Sequence, residues 1–183
     1  DEKSFIARLY YNSKKVGGLS DLELLDLIVI AIFGGVDTTR SQLGLGIMTF
    51  IEHPLEWKKL REDKLLAPSA FDELIRERPT TTWVTREAIY DFEFSGITIK
   101  KGTTLHLLVH SASRDSIWEK DPTFNITANR KKHFGFGGGS HHCVGHYMAK
   151  TDSVVALCAL SDLMQTISLN GLPKLLPDSG NTS

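Results

Sequence analysis

Two cysteines, Cys143 and Cys158, are too few in 183 residues for a disulfide framework. Both read as reduced, which points to a cytoplasmic compartment. The formal net charge is only -1. No basic excess therefore marks a surface for nucleic acid or anionic membrane. No secretory leader is visible. Long apolar runs are missing too. The longest, Leu27 to Val36, is interrupted only by glycine and reaches about half of the ~20 residues a membrane span needs. Internal repeats and low-complexity segments are absent. What is left is a chain of 41% hydrophobic residues and one ordinary domain's length, able to bury a core. It opens on Asp1-Glu2-Lys3 without an initiator methionine and closes on the turn-rich run Asp178 to Ser183. Both ends read as cuts.

The hydrophobic pattern predicts a mainly helical chain with a small antiparallel β-sheet. Phe5 to Asn12 reads as a short helix and Ser13 to Leu19 as a loop. Ser20, followed three residues later by Glu23, is a capping box, with Leu19 and Leu24 at the positions of a hydrophobic staple. Apolar positions then continue to Ile51, and Pro54 ends the helix near His53. Such a helix is ~50 Å long at 1.5 Å per residue. Pro54 suits the first turn of a second helix through Glu62, and Ser69 to Arg78 makes a third. The period then changes. Tyr90, Phe92 and Phe94 alternate, Ser95-Gly96 turns, and Ile97 and Ile99 alternate again, as in a hairpin. After Lys101-Gly102 a strand from Thr104 to Val109 is predicted. Arg114 to Lys132 reads as irregular, Tyr147 to Met164 as the last helix, and Leu172 to Leu176 is too short to assign.

Chemistry concentrates around one residue. Phe136-Gly137-Gly138-Gly139-Ser140-His141-His142-Cys143-Val144-Gly145 sets a cysteine behind a glycine-dense loop and ahead of a helix. A thiolate at a helix N-terminus gains from the dipole and from free N–H groups. Glycines let backbone approach a flat ligand. The alternative is a connector with a buried structural cysteine. Phe136, Gly139, Cys143 and Gly145 fill every fixed position of a haem-binding signature, and the stretch resembles that of the cytochrome P-450 haem-thiolate monooxygenases. The resemblance implies haem b ligated by the Cys143 thiolate, with Phe136, Gly137 and Gly145 around it. It also implies a cytochrome P-450-like fold, incomplete at both ends. Residues 1–183 would then be the C-terminal, haem-binding part of a single domain, whose N-terminal half is absent.

Further stretches fit the same family. Gly34-Gly35-Val36-Asp37-Thr38-Thr39 puts two glycines in mid-helix, at about 1 kcal/mol each relative to alanine. On the residues alone this is either a functional interruption or close helix packing with a back-bonded threonine. It resembles the family's oxygen-binding motif. That implies a helix opened beside the haem, a proton-delivering hydroxyl at Thr38 and a proton relay at Asp37. Glu73 and Arg76 share a helix face, as a surface pair or as the family's buried structural Glu-x-x-Arg. The family's third, basic partner falls on Thr123, a departure that leaves Arg114 or Arg130 to supply it. Arg86 and His141 match the positions that bind haem propionates, as guanidinium–carboxylate pairing would allow.

Candidate substrate contacts are Phe33, Gly34, Val36, Thr82, Trp83 and Val84, each of which could equally be core. Zinc at His141, His142, Cys143 and His146 is disfavoured, because consecutive side chains splay apart and no second ligand pair exists. The resemblance implies an oxidoreductase. It would insert oxygen from dioxygen into a small, largely apolar organic substrate, with electrons from NAD(P)H through a ferredoxin or flavoprotein. The intact acid–alcohol pair disfavours a peroxide-driven variant. The reading from a different class is a haem-binding fragment or scaffold without turnover.

Overall fold

The computed structural model describes residues 4–15 and 18–171. Six helices and four short strands follow in chain order: α1 (Phe5–Lys15), α2 (Asp21–Glu52), α3 (Pro54–Glu62), α4 (Ala67–Glu77), β1 (Val84–Glu87), β2 (Phe92–Phe94), β3 (Ile97–Ile99), β4 (Thr104–Leu107), α5 (Val109–Arg114) and α6 (His146–Leu163). The mainly helical class with antiparallel strands agrees with the pattern. The stretches at Asp1–Lys3, 172–176 and 178–183 lie outside the described residues.

α2 starts where its local chemistry dictates. The Ser20 hydroxyl accepts from the Glu23 amide, and the Glu23 carboxylate accepts from the Ser20 amide at 2.8 Å, closing the capping box. α3 begins on Pro54, whose missing N–H costs nothing in a first turn. The core forms where α3, α4 and α6 close on the C-terminal half of α2. It comprises Phe50 of α2, Trp57 and Leu60 of α3, Ala70, Phe71, Leu74 and Ile75 of α4, Leu157 of α6, and Phe124 and Ile126 from the irregular stretch. Phe50 meets Trp57 and Phe124 edge to face, with centroids 5.2 and 5.8 Å apart.

Several details differ from the sequence pattern, an unexpected β1 among them. α1 runs on to Lys15, into the expected loop. The strands form two separate two-stranded sheets rather than one. β2 pairs with β3 across the Ser95-Gly96 turn, where both residues have positive φ. β4 stops at Leu107 and pairs with β1, placing Arg86 opposite Leu105. Val109 instead opens α5, whose Ser113 hydroxyl bonds back to the Val109 carbonyl at 2.8 Å. A helix this short and polar carries no apolar repeat, so the pattern could not announce it.

The irregular stretch before α6 is held by charge. Glu73 and Arg76 are each only 2% exposed. Arg76 donates Nε and Nη2 to the two Glu73 oxygens at 2.7 and 2.9 Å. Arg130 donates to the same oxygens at 3.2 and 3.1 Å, and the Asn125 amide adds a fifth bond at 3.0 Å. The third, basic partner is therefore Arg130. Thr123 lends its backbone carbonyl to Arg130 and turns its hydroxyl to Asp121, while Arg114 pairs with Glu77. Burial alone would lower the Arg76 pKa, but the Glu73 hydrogen bonds and the Glu73, Glu77 and Glu119 charges hold it above its ordinary value. Glu73→Ala would remove the carboxylate shared by the buried Arg76 and the half-buried Arg130, at ~3–5 kcal/mol, a large share of a domain's ~5–15 kcal/mol. A urea midpoint unchanged from that of the parent protein would contradict this account.

Candidate functional site

The loop that carries the cysteine is fixed at its base by contact with α4. A Cβ on Gly135 would lie 2.2 Å from Ile75 Cγ2, so no larger residue fits. Phe136 follows, tilted against Phe71 of the core at 6.2 Å between centroids. Gly137 and Gly139 then take φ of 69° and 64°, the left-handed region open to glycine. These turns reverse the chain so that the Cys143 amide donates to the Phe136 carbonyl at 2.9 Å. Gly139–His141 forms one 3-10 turn, and α6 begins at His146 with Gly145 as its N-cap.

Cys143 is therefore not in the first turn of α6 but three residues before its first residue. His146 secures it from the helix side, with its amide 3.4 Å and its Nδ1 2.8 Å from the Cys143 carbonyl. The thiol is free and half-buried. Its near neighbour is Gly145, where a Cβ would sit 3.9 Å from the sulfur. No side chain intrudes there, and Gly138 and Gly139 also border open space. A lone soft donor on an ordered loop beside open glycine backbone would suit ligation of the iron of a flat macrocycle. Among the described residues no three metal-ligating side chains converge. His142 and His146 instead meet edge to face, 4.6 Å between centroids.

The glycine–acid–hydroxyl stretch lies in α2, which packs on both α4 and α6. The helix does not open here: residues 34–39 are helical throughout. The local polar groups are satisfied within it. The Thr38 hydroxyl donates to the Gly34 carbonyl, and Asp37 pairs with Arg40 at 3.2 Å. No atom lies within 4 Å of a Cβ built on Gly34 or Gly35, so the helix keeps an open flank. Phe33 and Val36 are exposed beside it.

Thr82, Trp83 and Val84 are half-buried in the approach to β1. The Thr80 hydroxyl, 3.5 Å from the Thr38 carbonyl, joins this approach to α2. Arg86 is half-buried on β1 and donates Nη1 to the Thr85 carbonyl at 2.8 Å. No carboxylate pairs with it among the described residues. His141 is exposed on the 3-10 turn.

Sequence reasoning missed a clamp behind the cysteine loop. Asp72 of α4 binds Lys150 of α6 at 2.6 Å and lies 3.9 Å from His133 Nε2. No local spacing links residues so far apart in sequence. A cleft of about 570 Å³ opens over this clamp, between α4, residues 128–133 and the start of α6, and Lys131, Lys132, His142, His146 and Tyr147 also border it. Burial alone would raise the Asp72 carboxyl, but the nearby His133 and the bonded Lys150 outweigh it and hold it below 3.8, the ordinary value. A depressed carboxyl adds stability above its unfolded pKa and loses it as pH falls toward the folded one. Asp72→Asn should therefore flatten the fall in melting temperature below pH 3.8. Parallel pH profiles for parent and variant would contradict the clamp.

The sequence pattern of the family described as "Cytochrome P450" matches residues 1–161. The chain is 34% identical to luteothin monooxygenase of Streptomyces thioluteus, covering 93% of this chain and 42% of that protein. It is 36% identical to steroid C26-monooxygenase of Mycobacterium tuberculosis (strain ATCC 25618 / H37Rv), covering 86% and 36%. In three dimensions it resembles cytochrome P450 CREJ in complex with (4-ethylphenyl) dihydrogen phosphate. The TM-score is 0.84 at 30% identity, over 90% of this chain and 41% of that one. P450BioI in complex with hexadec-9Z-enoic acid ligated acyl carrier protein gives a TM-score of 0.85 at 25% identity, over 97% and 50%. The chain thus spans half or less of each of these relatives.

Proposed function

The chain belongs to the cytochrome P450 family, and from that premise we propose that it is the haem-binding C-terminal part of a monooxygenase acting on a small, largely apolar organic substrate. The observation that carries this reading is the Cys143 loop. Left-handed glycines, the Cys143–Phe136 backbone bond and the His146 contact hold one free thiol beside open backbone. When bound, haem b supplies dioxygen activation at a thiolate-ligated iron.

The chain's own residues divide the remaining work. Cys143 would hold the iron through its thiolate. Arg86, without a carboxylate among the described residues, and the exposed His141 would hold the propionates by charge-assisted bonds. Thr38 keeps a hydroxyl proton on Oγ1 at the open flank of α2, and Asp37 exchanges protons with solvent beside it. Phe33, Gly34, Val36, Thr82, Trp83 and Val84 border the substrate.

Electrons from NAD(P)H come through a ferredoxin or flavoprotein. Lys131, Lys132 and Lys150 around the cleft behind the cysteine loop favour an acidic donor. No described helix is long and apolar enough to cross a membrane. The two free cysteines support a cytoplasmic protein. A haem-binding piece without turnover is the second reading. It is favoured by the N-terminal half of α2, where Leu25, Val29, Ile30 and Phe33 stand exposed.

In the whole protein, Cys143→His should abolish the red-shifted carbonyl band of the reduced, thiolate-ligated form, while Cys158→Ser leaves it. An intact band in the Cys143 variant would sink the assignment. Thr38→Ala should keep NAD(P)H consumption but divert much of it to hydrogen peroxide, lowering product per NAD(P)H about tenfold. An unchanged product ratio would remove Thr38 from the proton path.

A further inference from the structure

α4 hands the chain to β1 along a route laid on α2. Arg78, the C-cap of α4, reaches sideways to Glu52 near the end of α2, with guanidinium bonds of 3.2 and 2.8 Å. Its carbonyl accepts from the Gln42 side-chain amide at 3.0 Å. Two residues on, Thr80 gives both its N–H and its hydroxyl to Gln42 Oε1, at 2.9 and 3.0 Å. The hydroxyl also lies 3.5 Å from the Thr38 carbonyl. The chain after α4 thus runs back along α2, from Glu52 past Gln42 to Thr38, and then delivers Thr82 to Val84 and Arg86.

Gln42 is 8% exposed and Thr80 6%. A buried glutamine amide in a helix is costly unless its partners are fixed. Here they are, and the bonding fixes the amide's orientation. Rotated by half a turn, its NH₂ would face the Thr80 N–H and its oxygen the Arg78 carbonyl, two repulsive contacts. The Thr80 hydroxyl has one proton and two acceptors. The nearer, Gln42 Oε1, takes it, and the Thr38 carbonyl is the alternative. That carbonyl is the one that accepts the backbone N–H of residue 42 in an α-helix. The backbone of Gln42 therefore bonds the turn that carries Asp37 and Thr38, while its side chain holds Thr80 against that turn, 3.5 Å from the Thr38 carbonyl.

We infer that Gln42 and Thr80 are positioning residues, which set the approach of residues 82–84 to the Asp37–Thr38 turn and so tie substrate placement to proton delivery. This rests on the monooxygenase reading for its consequence, but the linkage itself is a property of the fold.

The test takes the whole, haem-loaded protein and compares Gln42→Leu, Thr80→Val and Thr80→Ser. Gln42→Leu and Thr80→Val should speed backbone amide exchange across residues 34–39 about tenfold. They should also lower product per NAD(P)H while leaving the thiolate carbonyl band in place. Thr80→Ser, which keeps the hydroxyl, should restore both readouts. Gln42→Leu strands the Arg78 carbonyl and the Thr80 N–H. If it fails to fold, Thr80→Val, which removes a single hydroxyl, decides alone. Unchanged exchange at residues 34–39 would overturn the linkage. Faster exchange with an unchanged product ratio would overturn the tie to proton delivery. Loss of the carbonyl band in the parent protein would defeat the monooxygenase reading instead, and the exchange comparison would still decide the linkage.

Discussion

The Glu73 carboxylate is where distant stretches of chain are made to meet. Five donors converge on its two oxygens, from Arg76 one turn along α4, from Arg130, and from the Asn125 backbone. A carboxylate so buried is tolerated only when its charge is answered and its lone pairs are filled. The wider cluster meets that condition: Glu73, Glu77 and Glu119 face Arg76, Arg114 and Arg130. The same contacts solve a second problem. Residues 115–138 contain no regular helix or strand to satisfy their backbone, and guanidinium bonds to the carbonyls of Asp121, Pro122 and Thr123 do it instead.

That arrangement reaches the cysteine through packing. With the 119–130 stretch locked on α4, Phe124 and Ile126 enter the core, and the chain that follows is laid against Ile75. Gly135 can then pass where no Cβ fits, Phe136 docks on Phe71, and its carbonyl receives the Cys143 amide. The position of the sulfur thus depends on an ion cluster with which it shares no hydrogen bond. Charge fixes the irregular chain, shape fixes the loop, and left-handed glycines fix the final turn.

Legibility in the sequence followed the range of the interactions. The α2 start was readable because Ser20 and Glu23 settle it within one turn, and the α3 start because Pro54 does so alone. The Ser95-Gly96 hairpin was readable for the same reason. β1 was not. Thr85, Arg86 and Glu87 carry no alternating apolar signal, and their partners on β4 lie some twenty residues on. The cysteine loop was legible in its residue types and in its place ahead of α6, which starts one residue before the expected Tyr147; Gly145 as the cap was not foreseen. The third, basic partner was narrowed to two arginines and no further. Gln42 gave no signal, because a glutamine within a helix is ordinary until its burial is seen.

α2 itself shows how position and composition combine. Its C-terminal half is anchored: Gly46 comes so close to Leu74 that a Cβ would lie 3.0 Å from it, and Thr49 and Phe50 are buried. Its N-terminal half carries Leu25, Val29, Ile30 and Phe33 exposed. Residues 34–39 fall on the border. There two glycines lower helix propensity by about 1 kcal/mol each, and the Thr38 hydroxyl competes for the Gly34 carbonyl. The helix is thus easiest to deform where its packing support ends, and its last buried tie on the anchored side is Gln42.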